Sequence, residues 1–67
     1  MNVKVKVVYD GLLHNEGHEV NFEVDSSQDS VVVTESFNTN ELTPTRIGLD
    51  SAIEKQQKLI ALGYEWL

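Results

Sequence analysis

The chain has no cysteine, and among its 67 residues there are one proline, one tryptophan and five lysines and arginines. Without cysteine it can build neither a disulfide framework nor a thiolate zinc cage, the usual staples of small folds. Long apolar runs are missing too. The N-terminus Met1-Asn2-Val3-Lys4-Val5-Lys6 lacks the apolar stretch of a signal peptide, and nowhere are there the roughly 20 apolar residues that span a bilayer. We therefore expect a soluble, cytoplasmic protein with no membrane partner, and the missing thiols agree with a reducing compartment. The length leaves room for one domain, residues 1–67, with a thin core.

Hydrophobic residues make up 40% of the chain, and they are patterned rather than scattered. Val3, Val5, Val7 and Tyr9 alternate with Asn2, Lys4 and Lys6, which predicts a first strand with one apolar face. Val20, Phe22 and Val24 alternate with Glu19, Asn21, Glu23 and Asp25 and predict a second. Asn15-Glu16-Gly17 reads as a short hairpin turn between them, with Asp10-Gly11 marking a bulge; a wider loop over 10–17 is the rival. The turn-forming cluster Ser26–Ser30 leads into a third strand, Val31–Phe37. Its inner face is Val31, Val33 and Phe37, with Glu35 set awkwardly among them. A glutamate there marks a strand end, an edge or a site, and an end is the commonest explanation.

Asn38–Leu42 reads as a polar connection. Two helix-start signals follow: Thr43-Pro44, and the capping box Ser51-Ala52-Ile53-Glu54. The apolar stripe decides between them, because Leu49, Ala52, Ile53, Gln56, Leu59 and Ile60 share one side at 100° per residue, whereas Ile47 would face the opposite side. This predicts a helix over about 49–62. Gly63 occupies the terminating C′ position and Tyr64 is placed to pack back on Leu59. Glu65-Trp66-Leu67 either forms a very short fourth strand or covers the core. The expected fold is α+β: a three-stranded antiparallel β-meander followed by one C-terminal α-helix packed on one face (βββα). A sheet this small leaves an edge unpaired, which invites a homodimer.

Charge is the most informative feature. The net charge is -6, and residues 7–45 carry eight acidic side chains, Asp10, Glu16, Glu19, Glu23, Asp25, Asp29, Glu35 and Glu41, with no lysine or arginine. On the second strand Glu19, Glu23 and Asp25 point away from the apolar side, so the outer sheet face is expected to be acidic, offset in part by pairs such as Lys4 with Glu23. The plain reading is a solvated face that keeps the protein soluble. The sharper one is a docking surface for a basic partner, including imitation of nucleic-acid phosphates. Direct nucleic-acid binding is disfavoured, because it depends on lysines and arginines neutralising phosphates.

His14 and His18 flank the hairpin turn and, with Glu16 or Glu19, suggest a divalent metal site. No third firm ligand is in sight, and two solvent-facing histidines are the simpler explanation, so no metal and no cofactor is expected. The serines show no triad spacing, and a chain this short has little room for a pocket that would exclude water from paired carboxylates. Gln56 interrupts the helical stripe, either overhanging the sheet margin into water or contacting a partner. Tyr64 and Trp66 are core or cap residues on one reading and interface anchors on the other. The combined expectation is a small acidic non-enzymatic protein-binding module, a regulator or inhibitor of the kind found among phage or mobile-element accessory proteins. Its partner-binding residues would be Glu19, Glu23, Asp25, Glu35, Tyr64 and Trp66. The alternative is a homo-oligomeric assembly module using the sheet edge and the C-terminal aromatics.

Overall fold

The computed structural model describes residues 8–38 and 40–67. The expectation of a first strand at Val3–Tyr9 falls largely on residues outside that range, as do Lys4 and Lys6. Three antiparallel strands form the centre: β1 (Gly11–Asn15), β2 (His18–Asp25) and β3 (Ser30–Phe37). The first of them is not the valine-rich segment. Its inner residue is Leu13, opposite Val20, and residues 8–10 lead into it as irregular chain.

The β1–β2 connection is a two-residue turn, since Asn15 pairs with His18. Glu16 and Gly17 both have positive φ, 47° and 83°, the combination whose twist suits a tight hairpin. The positive φ selects glycine at 17, and a Cβ there would also lie 2.5 Å from Oδ1 of Asn38, which would have to swing aside. The Gly17 carbonyl accepts a hydrogen bond from the Asn38 backbone N–H, 3.0 Å away.

The sheet is larger than a three-stranded meander. Beyond β3 lie β4 (Asn40–Glu41) and β5 (Thr45–Gly48), which pair with successive parts of the same edge, and β6 (Glu65–Trp66) pairs with β1. The segment expected to be a polar connection thus contributes a strand, and Ile47 packs on the core from β5 rather than projecting from a helix. Pro44, which has no N–H to donate, stands just before β5, where a strand tolerates it.

The single helix, α1, spans Leu49–Ala61. Neither start signal is used. Gly48 is the N-cap, without a side-chain hydrogen bond, and Ser51 lies inside the first turn. The end follows expectation: the Gly63 N–H bonds to the Ile60 carbonyl and the Tyr64 N–H to that of Leu59, each at 3.0 Å, with Gly63 at φ +100°. Among the described residues, no helix is long and apolar enough to cross a membrane.

The helix lies on the face of the sheet that carries Leu13, Val20, Phe22, Val31 and Val33, and closes over them with Ala52, Ile53 and Leu59. Burying each large apolar side chain contributes roughly 1.5–3 kcal/mol. Two members of the predicted stripe differ. Ile60 is 48% exposed, although its neighbour Leu59 is buried in the core. Gln56 does not reach water: it is 3% exposed, its Oε1 accepts from the Tyr9 N–H and its Nε2 donates to the Tyr9 carbonyl. An amide side chain can donate and accept at once, and so can pair with both backbone groups of one residue.

Candidate functional site

Register decides which side chains share a face, because directly paired residues point to the same side. One line crosses five strands on the outer face: Glu65 (β6), His14 (β1), Glu19 (β2), Ser36 (β3) and Glu41 (β4). Three carboxylates alternate along it with His14 and Ser36, about 10 Å apart at 4.7–4.9 Å per strand. Leu12, Asn21 and Thr34 form the next line, and Glu23, Val32 and Arg46 the one beyond. Glu19, Glu23 and Glu41 border a shallow, open depression floored by Asn21, Thr34 and Ser36.

Among the described residues, Glu19, Glu23, Glu41 and Glu65 have no lysine or arginine within ion-pair distance. Glu19 accepts a long hydrogen bond from Ser36 Oγ, 3.4 Å. Asp25 differs. Its Oδ1 accepts from the Ser27 hydroxyl at 2.6 Å and the Ser27 N–H at 3.1 Å, and its Oδ2 accepts from Arg46 Nη1 at 3.0 Å. The Ser27 hydroxyl bond first, and Arg46 second, hold its carboxyl below the usual aspartate range. Arg46 Nη1 also donates to Ser30 Oγ at 2.6 Å, so Asp25 braces the β2–β3 connection and offers less free charge than its neighbours.

Glu35, Tyr64 and Trp66 lie on the other side of the sheet, so the six residues singled out from the sequence do not form one surface. Glu35 is neither a strand end nor an edge residue. It pairs with Val20 on one side, and its carbonyl accepts from the Leu42 N–H on the other. Its side chain joins a second cluster, at the rim of the helix-covered face. His18 Nε2 lies 3.0 Å from Glu35 Oε1, His18 Nδ1 is hydrogen-bonded to the Tyr64 hydroxyl, and Lys55 Nζ lies 3.8 Å from Glu35 Oε2. The Phe37 ring stacks on the His18 imidazole, with centroids 4.1 Å apart and planes within 6°. A carboxylate can only accept, which places the proton of a neutral imidazole on Nε2 and leaves Nδ1 to accept from the phenol. Trp66, opposite Leu13, lies over Gly11 and meets Tyr9 and Phe22 edge to face.

The hairpin metal site suggested by His14 and His18 does not form. His14 pairs with Glu19 and His18 with Asn15, one step apart in register, so the imidazoles point to opposite faces. No group of three potential metal ligands occurs among the described residues.

Two members of the acidic line, Glu41 and Glu65, escape sequence reasoning because two-residue strands carry no periodicity. The role of His18 escapes it because its partners come from β3 and from beyond the helix.

No family model, no curated protein and no solved structure matches this chain.

Proposed function

We propose that the protein is a small non-enzymatic binding module, a regulator or inhibitor acting in the cytoplasm, that docks a basic partner protein through the outer sheet face. The observation that carries this reading is the line Glu65–Glu19–Glu41, with Glu23 beside it, on a face the helix leaves uncovered. Such a field attracts lysine- and arginine-rich surfaces, accelerates encounter and weakens in salt. It repels nucleic acid. The test is capture of partners by the immobilised chain at low and high salt, comparing wild type with Glu19→Lys/Glu41→Lys. Glu16→Lys/Asp29→Lys, placed in the two turns, changes net charge equally. Partners lost only from the first variant support the reading; equal loss from both reduces it to net charge, and retention by both removes it.

A second reading, self-assembly, is favoured by the exposed aromatic ledge of Tyr9 and Trp66, 58% and 39% exposed, beside β6, the outermost strand on that side among the described residues. Sedimentation at micromolar concentration tests it: a dimer that Trp66→Ser dissociates supports assembly, and a strict monomer defeats it.

A further inference from the structure

We propose that Tyr64 is an activated phenol that takes an acyl group from activated esters, with His18 as its base and Glu35 as the group that orients the base. Nucleophilic side chains gain reactivity when a base stands within hydrogen-bond reach and a third group fixes that base, whatever the fold or the chain order. All three parts are present. The Tyr64 hydroxyl meets Nδ1 of His18, and Nε2 on the far side of the ring meets the Glu35 carboxylate at 3.0 Å.

The ring is held by more than its hydrogen bonds. Phe37 stacks on one face, Tyr64 itself packs edge-on, and the His18 side chain retains only 15% of its exposure. Lys55, 3.8 Å from the other Glu35 oxygen, supplies a positive charge beside the carboxylate. The four members come from β2, β3, α1 and the segment after the helix, so the arrangement exists only in the folded chain. Tyr64 keeps part of its surface in water.

The reaction is stoichiometric, one acyl group per chain. The phenol oxygen attacks the ester carbonyl while its proton passes to His18 Nδ1, and the imidazolium is stabilised by Glu35 through Nε2–H. The tetrahedral intermediate then collapses, the bond from carbonyl carbon to leaving oxygen breaks, and the alkoxide or aryloxide departs. His18 returns the proton to it or to water, leaving Tyr64 as an O-acyl ester. No oxidant, metal or further reactant is needed.

Tyr9 is an internal control, since the chain has two tyrosines and Tyr9 is the more exposed, at 58%. Exposure alone makes Tyr9 react first. The full chain is incubated with p-nitrophenyl acetate near neutral pH, p-nitrophenolate release is followed, and acetylation of each tyrosine is read by peptide mass spectrometry. We expect Tyr64 to react faster than Tyr9 by on the order of ten-fold or more, a modest share of what a positioned base can supply. His18→Gln brings Tyr64 down to the Tyr9 rate or below, with the Tyr9 rate unchanged as a report on the fold. Glu35→Gln, which keeps an acceptor for Nε2–H but removes the charge, slows Tyr64 by a smaller factor and serves if the histidine variant does not fold. Faster acetylation of Tyr9, a Tyr64 rate indifferent to both substitutions, or p-nitrophenolate release without acetyl-Tyr64 overturns the proposal.

Discussion

The side-chain amide of Gln56 satisfies both the N–H and the C=O of Tyr9, at 3.2 and 2.7 Å, and so docks the chain ahead of β1 against the helix. A residue that looks like a defect in the apolar stripe is instead the partner of both backbone groups of Tyr9.

Gln56→Leu keeps the volume and raises the hydrophobicity of the stripe, yet it strands two backbone groups. Each unsatisfied buried group costs about 1–3 kcal/mol. We expect a loss of about 2–4 kcal/mol, measured by urea unfolding, and Gln56→Glu should be destabilising as well because it cannot donate to the Tyr9 carbonyl. A stability equal to wild type for the leucine variant would show that Tyr9 finds other partners.

Gly17→Ala places a Cβ where Oδ1 of Asn38 lies 2.5 Å away and imposes φ +83° on a residue that avoids it. The expected loss is about 1–3 kcal/mol. Steric and conformational parts separate in the double variant, since Asn38→Ala removes the clash but not the strain. Gly17→Ala/Asn38→Ala should therefore recover part of the loss.

Asp25 gives the fold a defined acid sensitivity. Its folded-state pKa is depressed, chiefly by the Ser27 hydroxyl and then by Arg46. A carboxylate of this kind contributes stability that is fully present above its unfolded pKa and is lost as pH falls through the lower folded one. The difference in melting temperature between wild type and Asp25→Asn should be constant at neutral pH and shrink once the pH drops below 3.8, the ordinary aspartate value. Ser27→Ala should move that closing point upward. A gap unchanged by acid would deny the carboxylate this role.

Leu13→Ala empties the centre of the core, where Leu13 is fully buried between strand and helix. Leucine truncations of this kind cost about 2–5 kcal/mol, a large part of what a domain of this size possesses. The variant should be largely unfolded at 37 °C by circular dichroism, whereas Leu12→Ala, one residue earlier and on the outer face, should change stability little.

Much of this architecture is legible in the residues themselves. Val20-Asn21-Phe22-Glu23-Val24 announces both a strand and its buried side, and the spacing of Ala52, Ile53 and Leu59 together with Gly63 fixes the helix and its end. The α+β class with one C-terminal helix follows from those two signals, and the short C-terminal strand is one of the two alternatives that Glu65-Trp66-Leu67 leaves open. What escapes the pattern is β1. Leu12-Leu13 puts adjacent leucines on opposite faces, so β1 shows no alternation, and the expected strand over Val3–Tyr9 falls largely outside the described residues. Asn40-Glu41 and Thr45–Gly48 are too short and too polar for any period, and their pairing is dictated by the β3 edge they complete.

The candidate surfaces divide in the same way. Glu19, Glu23 and Asp25 can be grouped from β2 alone, because period two needs no partner. Glu41 and Glu65 join them only through the register of β4 and β6. Glu35 looks misplaced until the pairing of His18 with Phe37 is known; it then sits diagonally from the imidazole, within side-chain reach.

Among the described residues, β5 and β6 run parallel on opposite borders of the sheet, with α1 carrying the chain from one to the other. Among the described residues both margins are therefore set by residues 40–67, with β4 and β5 on one and β6 on the other, and the same stretch supplies the lid over the valines. A nascent chain that has emerged only as far as Phe37 holds its three central strands before α1 can cover their greasy side and before β4, β5 and β6 can pair with their rims. Completion waits on residues 40–67, so the interval of greatest exposure to misassembly falls late in synthesis.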